Sequence, residues 1–456
     1  MNEKRSSFTG KVGFVLAAAG SAVGLGNIWR FPYLAAKYGG GIFLLVYLIL
    51  AVTFGFALMC AEITLGRKTG KSAIGAFASL SKKHGFIGWL AALIPVIILP
   101  YYSVIGGWVM KYIAVFSTGK AADYANDYSF GNFIGEPAEP LLWFALFVGL
   151  TALVVLFGVN KGIEKVSKVM MPLLVVLALV VAIYSMCLPG AMEGVKYYLL
   201  PDFSQFSVIT VLSALGQLFY SMSLAMGIMI TYGSYMKKEV SLESSVHQIE
   251  IFDTGIAFMA GLMIIPAVFS FAAGDQAALD ANLKAGPGLM FVILPKVFQS
   301  MPGGTIIGIV FFVLVFFAAL TSSISLMETV VSLVRDKLGW GRIKTCIVVL
   351  IACLIIGAPS SLGNGLWSGV KLIGMDFLTF FDFISNSVLM PIVAFFTCIF
   401  VGYIIKPSSV IEEMESHGNR FKAKKMFTVI IKYVAPICIV LILAFSLLSA
   451  FGIVNV

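Results

Sequence analysis

Long apolar runs constrain the fold of this 456-residue chain more than any other feature of its sequence. A helix that crosses a bilayer needs about 20 predominantly apolar residues, and its backbone groups must bond to one another because lipid offers them no partner. Hydrophobic residues make up 60% of the chain and charged residues 12%, which is typical of an all-α polytopic membrane protein and excludes collagen-like, coiled-coil and disordered chains. The runs predict a single transmembrane domain over 1–456 with eleven spanning helices, at 12–36, 42–66, 86–116, 141–157, 166–188, 205–235, 246–273, 303–334, 343–358, 380–405 and 427–451.

Lys and Arg residues are distributed unevenly between alternate connections. Cytoplasmic loops of membrane proteins carry an excess of these cations. The distribution predicts a multi-pass protein of the plasma (inner) membrane with a cytoplasmic N-terminus and, because the number of spans is odd, an extracytoplasmic C-terminus. It also accounts for the net charge of +9 without a nucleic-acid partner, and the charged connection at 407–425 is predicted to be a solvated linker. In this orientation the outer segments hold only eight of the 31 cations, namely Arg30, Lys37, Lys111, Lys120, Lys196, Lys284, Lys296 and Lys371.

Two spans contain unusual runs of small residues, GSAVGLGN at 20–27 and SMSLAMG at 221–227. Glycine costs about 1 kcal/mol relative to alanine inside a helix, so both runs favour a break, and a break in the membrane requires protein, water or a bound ion to satisfy the freed backbone. The runs occupy matching positions in two groups of five spans. They predict inverted repeats at 12–188 and 205–405, an additional helix at 427–451, and a binding site near the midplane. Close helix packing is the alternative explanation for the small residues.

Residues typical of an enzyme are scarce. His84, His247 and His417 are assigned to polar connections, and no paired carboxylates or His/Cys cluster is recognised within the spans. The six cysteines show neither a CxxC site nor a disulfide framework, and no GxxxxGK[ST] phosphate loop is present. The chain is therefore predicted to be neither an enzyme nor a nucleotide-driven pump, with no organic cofactor.

The segment AGSAVGLGNIWRFPY at 19–33, followed by three glycines at 39–41, resembles the signature of the neurotransmitter:sodium symporter family. The resemblance implies the LeuT fold, in which helices 1 and 6 are discontinuous, and a sodium-coupled symporter that imports an amino acid by alternating access. An amino-acid-binding receptor or regulatory subunit without transport is the alternative. The similarity extends through nearly the whole chain, with further matches at GIEK 162–165, Pro172, SLAMG 223–227 and AALTSS 318–323.

The family resemblance implies two sodium sites built from oxygen ligands, which a hard cation prefers. Thr321 and Ser322 also have a simpler interpretation, because helix hydroxyls commonly bond to a carbonyl one turn earlier. The first site would use Ala22, Asn27, Ser221 and Asp253 with the substrate carboxylate, and the second would use Gly20, Val23, Ala318, Thr321 and Ser322.

Asp253 is an acidic residue within a membrane helix, which is energetically costly and usually functional. Family members commonly have asparagine there, and those that require chloride use the anion to offset cation charge. A permanent carboxylate predicts chloride-independent transport, with Asp253 taking a proton when the site is empty and returning it by antiport. A purely structural hydrogen-bonding role is the alternative.

Free N–H groups at a broken helix attract an anion, so the amides of Leu25 and Gly26 suit a substrate carboxylate, and by analogy with the family Tyr102 adds a hydroxyl donor. The carbonyl near Ala22 would take the ammonium group. The implied pocket contains no charged side chain, which favours a neutral hydrophobic or aromatic L-amino acid. The other pocket residues that the resemblance implies are Ile98, Ile105, Tyr220, Ser221, Ser223, Met226, Ser322 and Leu326.

The resemblance also implies gates on both sides of this site. The outer gate would pair Arg30 with Asp382, or alternatively with Asp376, above Tyr102 and Tyr220. The inner gate would use Arg5, Ser234, Tyr235 and Asp336, although Arg5 and Asp336 could instead be an ordinary solvated ion pair. Gly162 and Pro172 resemble a motif that unwinds the fifth span and lets water reach the second sodium. The sequence does not indicate an oligomeric state.

Overall fold

The computed structural model describes residues 7–272, 275 and 288–450, and within them the protein is almost entirely helical. Nine helices there are long and apolar enough to cross a membrane, and one bent pair forms a further span. Each predicted span overlaps one of the elements that we label α1 (Lys11–Ala22 and Gly26–Lys37), α2 (Gly41–Thr69), α3 (Lys82–Ser117), α4 (Glu139–Leu156), α5 (Val159–Met186), α6 (Val208–Ser221 and Ile228–Gly233), α7 (Leu242–Ala272), α8 (Gly304–Leu338), α9 (Arg342–Leu362), α10 (Phe377–Ile404) and α11 (Lys424–Ser449).

α1 is broken where its glycines cluster. Its first half ends at Ala22, Val23 is extended with φ −74° and ψ 101°, and the second half begins at Gly26. The two halves meet at an angle of 54°. The predicted break in the first span is therefore present.

α6 is broken between Ser221 and Ile228. Three residues of this break have positive φ angles, 53° at Ser223, 63° at Ala225 and 72° at Gly227. The left-handed region costs a residue with a side chain roughly 1–2 kcal/mol, so contacts from neighbouring helices must hold Ser223 and Ala225 there. The second predicted break is present as well.

The two broken helices lie among the longer, continuous ones. α1 packs against α7 and α8, the second half of α6 packs against α2, and α3 packs against α8, α4 and α9. The breaks of α1 and α6 consequently face each other in the interior, beside α3 and α8.

α2 and α6 cross closely because each has a glycine at the crossing. A side chain at Gly66 would overlap the backbone of Ile230, and one at Gly233 would overlap the backbone of Ile63. These glycines let the two backbones approach more closely than side chains would allow.

The connection at 407–425 is packed against the helices, and its prediction as a solvated linker is wrong. It contains a helix at Pro407–Met414, in which Val410 and Glu413 are buried. Arg67 of α2 donates to Glu413 Oε1 at 3.1 Å and to the carbonyl of Val240 at 2.9 Å. Charge in the sequence indicated solvent here, but Glu413 is used in this buried ion pair.

Short helices that the sequence analysis did not predict lie in other connections. Their apolar residues are too few to form a membrane span, so hydropathy alone did not separate them from loops. They are Ala73–Leu80, Ser129–Gly135, Ala191–Leu199 and Leu289–Gln299.

We expect Gly66→Ala to lower the free energy of unfolding by about 1–3 kcal/mol, because the added methyl group forces α2 away from α6. The measurement is thermal unfolding of the purified protein in detergent. Gly149→Ala is the matched control, since a Cβ atom at Gly149 of α4 meets nothing within 4 Å. Equal stability of the two variants would contradict the close crossing.

Candidate sodium and substrate site

The carboxylate of Asp253 lies at the centre of a buried polar network. Its Oδ1 accepts hydrogen bonds from Asn27 Nδ2 at 2.7 Å and from Ser221 Oγ at 2.8 Å. Its Oδ2 accepts from the hydroxyl of Tyr47 at 3.2 Å. All four side chains are buried. One carboxylate thus joins α7 to α2 and to both broken helices.

Asn27 makes the densest set of contacts in this network. Its Nδ2 also donates to Ser221 Oγ at 2.9 Å and to the carbonyl of Asp253 at 3.1 Å. Its Oδ1 accepts from the N–H of Gly24 at 3.0 Å. The structure therefore brings Asn27, Ser221 and Asp253 together as predicted for the first sodium site, and Ala22 lines the cavity beside them.

A second group of oxygens lies between α1 and α8. Ser322 Oγ is 3.4 Å from the carbonyl oxygen of Gly20 and 3.2 Å from that of Val23. Thr321 Oγ1 is 3.2 Å from the carbonyl oxygen of Ala318. The hydroxyl of Thr321 donates to a carbonyl of its own helix, which agrees with the simpler interpretation of this residue. The hydroxyl of Ser322 instead donates to carbonyls of α1. All five residues predicted for the second sodium site take part in this group.

Two side-chain hydrogen bonds support the unusual backbone of α6. Glu62 of α2 is 1% exposed, and its Oε1 accepts a hydrogen bond from the N–H of Ala225 at 2.6 Å. Ser223 donates to the carbonyl of Ser21 at 2.9 Å. The sequence analysis overlooked Glu62 and also Tyr47, although an acid inside an apolar span is the same signal that drew attention to Asp253.

An enclosed cavity of about 30 Å³ lies between the two breaks. The N–H of Leu25 donates to the hydroxyl of Tyr102 at its wall, at 3.2 Å. No charged side chain lines this cavity, and Ser21, Gly24, Asn27 and Ile228 line it in addition to predicted residues. The predicted residues that line it are Ala22, Leu25, Gly26, Ile98, Tyr102, Tyr220, Ser221, Ser223, Met226, Ser322 and Leu326.

Ile105 is the one predicted pocket residue that does not line the cavity. It is 3% exposed and lies on α3, about one helical turn beyond Tyr102 toward the end of that helix. Tyr102 lines the cavity, whereas Ile105 packs in the buried hydrophobic core.

The predicted outer ion pair is absent from the structure. The guanidinium carbon of Arg30 lies 5.2 Å from the ring centroid of Tyr220, a cation–π contact. Asp382 instead accepts from the hydroxyl of Tyr101 at 3.1 Å and from Asn386 Nδ2 at 2.6 Å. These donors satisfy the carboxylate without Arg30. The pairing of Arg30 with Asp382 is thus wrong for this conformation.

Asp376 is also not a partner of Arg30. Its carboxylate accepts from the N–H of Thr379 at 2.9 Å, which caps the helix that begins at Phe377. The alternative assignment of Asp376 to the outer gate is therefore wrong in this conformation as well.

Tyr235, which lies just after α6, contacts α8 and the segment before α1. The hydroxyl of Tyr235 donates to Glu328 at 2.8 Å, and Phe8 is buried against the ring of Tyr235. Ser234 donates within its own helix, to the carbonyl of Thr231 at 2.6 Å. Arg5, predicted for this gate, lies outside the described residues, as does Lys284.

Asp336 is held by the connection that follows α2. Its carboxylate accepts from the N–H of Ser72 at 2.9 Å and from the Ser72 hydroxyl at 2.6 Å. Asp336 therefore has hydrogen-bond donors other than the predicted Arg5.

Gly162 and Pro172 both lie in a continuous α5, so the fifth span is wound in this conformation. A side chain at Gly162 would overlap the carbonyl of Val154, which explains the need for glycine. Glu164, two residues later, accepts from the N–H of Thr9 at 2.9 Å and ties α5 to the segment before α1.

His247 lies within α7, so its assignment to a polar connection is wrong. Its Nδ1 is 3.1 Å from Glu250 Oε2, and its ring stacks on that of Phe56 with the centroids 4.6 Å apart. The sequence analysis also overlooked this histidine–carboxylate pair, whose residues are three positions apart on the helix.

Two interrupted helices around an enclosed, uncharged cavity, beside two clusters of oxygen atoms, define a membrane transporter of the discontinuous-helix class. The chain matches the sodium:neurotransmitter symporter family over residues 5–133 and 124–453. It belongs to that family and is a sodium-dependent symporter rather than an enzyme.

Relatives and a solved structure agree with this assignment. The sodium-dependent transporter YhdH of Bacillus subtilis is 36% identical over 96% of this chain and 97% of its own length. A sodium-dependent transporter of Methanocaldococcus jannaschii is 33% identical over 93% of this chain and 86% of its own length. The crystal structure of MhsT in complex with L-phenylalanine superposes with a TM-score of 0.87 at 37% identity, over 97% of this chain and all of that one. The fold is thus the LeuT fold.

We expect Glu62→Ala to reduce sodium-dependent uptake at least about tenfold, because the buried N–H of Ala225 loses its acceptor, at a cost of about 1–3 kcal/mol. Glu62→Gln keeps an oxygen at the same place and should retain most of the activity. The measurement is initial uptake in proteoliposomes, corrected for the amount of folded protein. Similar activity of the two variants would show that Glu62 does not hold the break.

Proposed function

We propose that this symporter imports neutral hydrophobic or aromatic L-amino acids with two sodium ions and without chloride. The buried carboxylate of Asp253, shared by both broken helices, is the observation that carries the proposal. The similarity to MhsT, whose structure contains L-phenylalanine, supports the substrate class.

The two oxygen groups serve as the two sodium sites in this proposal. Ala22, Asn27, Ser221 and Asp253 bind the first ion, and the group around Ser322 binds the second. At a membrane potential of about −100 mV each sodium supplies about 2.3 kcal/mol, and a tenfold gradient adds about 1.4 kcal/mol. Two ions supply roughly 7 kcal/mol, enough for about 10⁵-fold accumulation of a zwitterion.

The substrate binds between the two breaks. Its carboxylate lies near the N–H groups of Leu25 and Gly26 and the hydroxyl of Tyr102, and its ammonium group near the carbonyl of Ala22. A cavity of about 30 Å³ holds only about two waters, so side chains must move to admit an amino acid. Met226 is suited to this movement, because its unbranched side chain has three rotatable bonds.

Asp253 supplies the negative charge that chloride supplies in chloride-dependent relatives. A carboxylate beside Asn27 and Ser221 offsets the charge of the first sodium permanently. When the site is empty, a buried carboxylate without a counter-ion is costly, which favours a proton in place of sodium. The proton then returns outward during the empty step, as antiport.

Alternating access moves the gates around this fixed site. We assign the repeats to 12–188 and 205–405, with 427–451 as the additional helix, a cytoplasmic N-terminus and an extracytoplasmic C-terminus in the plasma membrane. Arg30, Tyr102, Tyr220 and Asp382 close the outer path. Arg5, Ser234, Tyr235 and Asp336 close the inner path, which opens when α5 unwinds between Gly162 and Pro172.

Uptake into sealed vesicles tests the proposal. Reconstituted protein should accumulate labelled leucine, tyrosine or tryptophan under an inward sodium gradient, and gluconate in place of chloride should leave the rate within about twofold. Thr321→Ala and Asn27→Ala should each abolish accumulation, because each removes a sodium ligand.

Thr329→Ala is the matched control for Thr321→Ala. Thr329 lies two turns further along α8 and donates only to the carbonyl of Ser325 in its own helix, so uptake should be kept. Sodium-dependent binding without accumulation would favour a receptor instead. Loss of uptake in gluconate would contradict chloride independence.

Asp253→Asn tests the role of the carboxylate. We expect uptake in gluconate to fall at least about tenfold, because the first sodium loses its counter-charge, and chloride to restore part of it. The measurement is uptake as a function of chloride concentration. Asp123→Asn, an exposed aspartate in the connection after α3, should behave as the unaltered protein does. A chloride-insensitive Asp253→Asn variant with full activity would refute the role.

A further inference from the structure

We propose that His247 and Glu250 form a proton-binding site, open to the cytoplasm, that lowers the sodium affinity of the first site when the cytoplasm becomes acidic. The inference rests on the proposed function, because it takes Asp253 as a ligand of the first sodium. The inference goes beyond the proposed function by adding a second proton-binding site, formed by His247 and Glu250.

Glu250 is a buried acid of α7 with few hydrogen bonds. Its side chain is 5% exposed, and Oε1 is buried with no hydrogen-bond partner among the described residues. Its Oε2 forms a hydrogen bond with Nδ1 of His247, at 3.1 Å. A buried carboxylate with one unsatisfied oxygen favours the bound proton, since ionisation would leave a charge away from water.

His247 connects this carboxylate to water. Its side chain is 49% exposed, while its ring stacks on Phe56 and stays in place beside Glu250. It lies near the cytoplasmic start of α7, which begins at Leu242. An imidazole that is half exposed and bonded to a buried carboxylate can pass a proton between solvent and that carboxylate near neutral pH.

Few other titratable groups face the pair. On α7, Glu243 lies toward the cytoplasm and Asp253 toward the membrane centre. Cys60 of α2 interacts electrostatically with both Glu250 and Glu243. Lys422 of the packed connection donates its backbone N–H to Glu243 at 3.1 Å.

α1 contributes one further cation near this end of α7. Lys11 Nζ donates to the hydroxyl of Ser244 at 2.7 Å, which holds its charge at the cytoplasmic start of the helix. Lys11 and Lys422 instead contact Ser244 and Glu243, respectively. Among the residues that the structure describes, the basic group bonded to Glu250 is His247.

The pair affects sodium binding because Glu250 lies close to Asp253. Glu250 and Asp253 are three residues apart on one helix, which places them on the same face about 4.5 Å apart along its axis. The two carboxylates interact electrostatically. A negative charge on Glu250 strengthens the attraction for sodium at Asp253, and its removal weakens that attraction.

The step itself is the uptake of one proton from cytoplasmic water. Before this uptake the pair carries one negative charge. After uptake the proton lies between Nδ1 and Oε2 and the pair is neutral. An acidic cytoplasm therefore favours sodium release on the inside.

Sodium-dependent binding of labelled phenylalanine to the purified protein tests the inference. We expect the sodium concentration for half-maximal binding to rise about tenfold from about pH 8 to about pH 6. In Glu250→Gln this rise should be at least about threefold smaller, and what remains reflects the proton that competes with sodium at Asp253. Glu412→Gln, an exposed acid in the packed connection, should keep the full pH response.

His247→Phe is a second variant that keeps the ring stack on Phe56 and removes the proton carrier. It should shift the midpoint of the pH response by about half a pH unit or more, with maximal binding retained. An unchanged response in either Glu250→Gln or His247→Phe would overturn the inference and leave the proposed function standing. A protein that shows no sodium-dependent binding at any pH would overturn both.

Discussion

Backbone groups freed by a broken membrane helix must find partners inside the protein, and much of this structure follows from that requirement. α1 and α6 are each interrupted at the middle of the molecule, and their breaks satisfy one another. Ser223 of one break donates to the carbonyl of Ser21 in the other, and Glu62 accepts the N–H of Ala225. The same oxygens that complete this network are those a sodium ion would use. In the proposed function, structural support and ion binding therefore depend on the same atoms.

Asp253 determines the charge balance at the two breaks. Its hydrogen bonds to Asn27, Ser221 and Tyr47 keep a carboxylate in the interior. A buried carboxylate is energetically costly when unpaired, so the binding of a cation or a proton to it is strongly favoured. In the proposed function, a transporter that carries its own counter-charge needs no external anion. In our further proposal, Glu250, one turn away on the same helix, extends this electrostatic coupling toward the cytoplasm.

Much of this architecture could be predicted from the sequence because its signals are local. Apolar length indicated the spans, and the glycines at 20–26 indicated the first break. Residues that form contacts between distant elements were harder to predict. Tyr47 looks like any aromatic in an apolar span, and nothing near Arg67 in the sequence shows that it pairs with Glu413. The predicted pair of Arg30 and Asp382 depends on conformation, which a sequence does not specify.

Reciprocal binding of sodium and phenylalanine in chloride-free buffer is the most direct test of the central claim that both ligands bind at the joined breaks. Ligands that bind a common site must change each other's affinity by the same factor. The account predicts that saturating sodium tightens phenylalanine binding at least about tenfold and that phenylalanine tightens sodium binding equally. Phenylalanine binding that is indifferent to sodium, or that appears only with chloride, would contradict it.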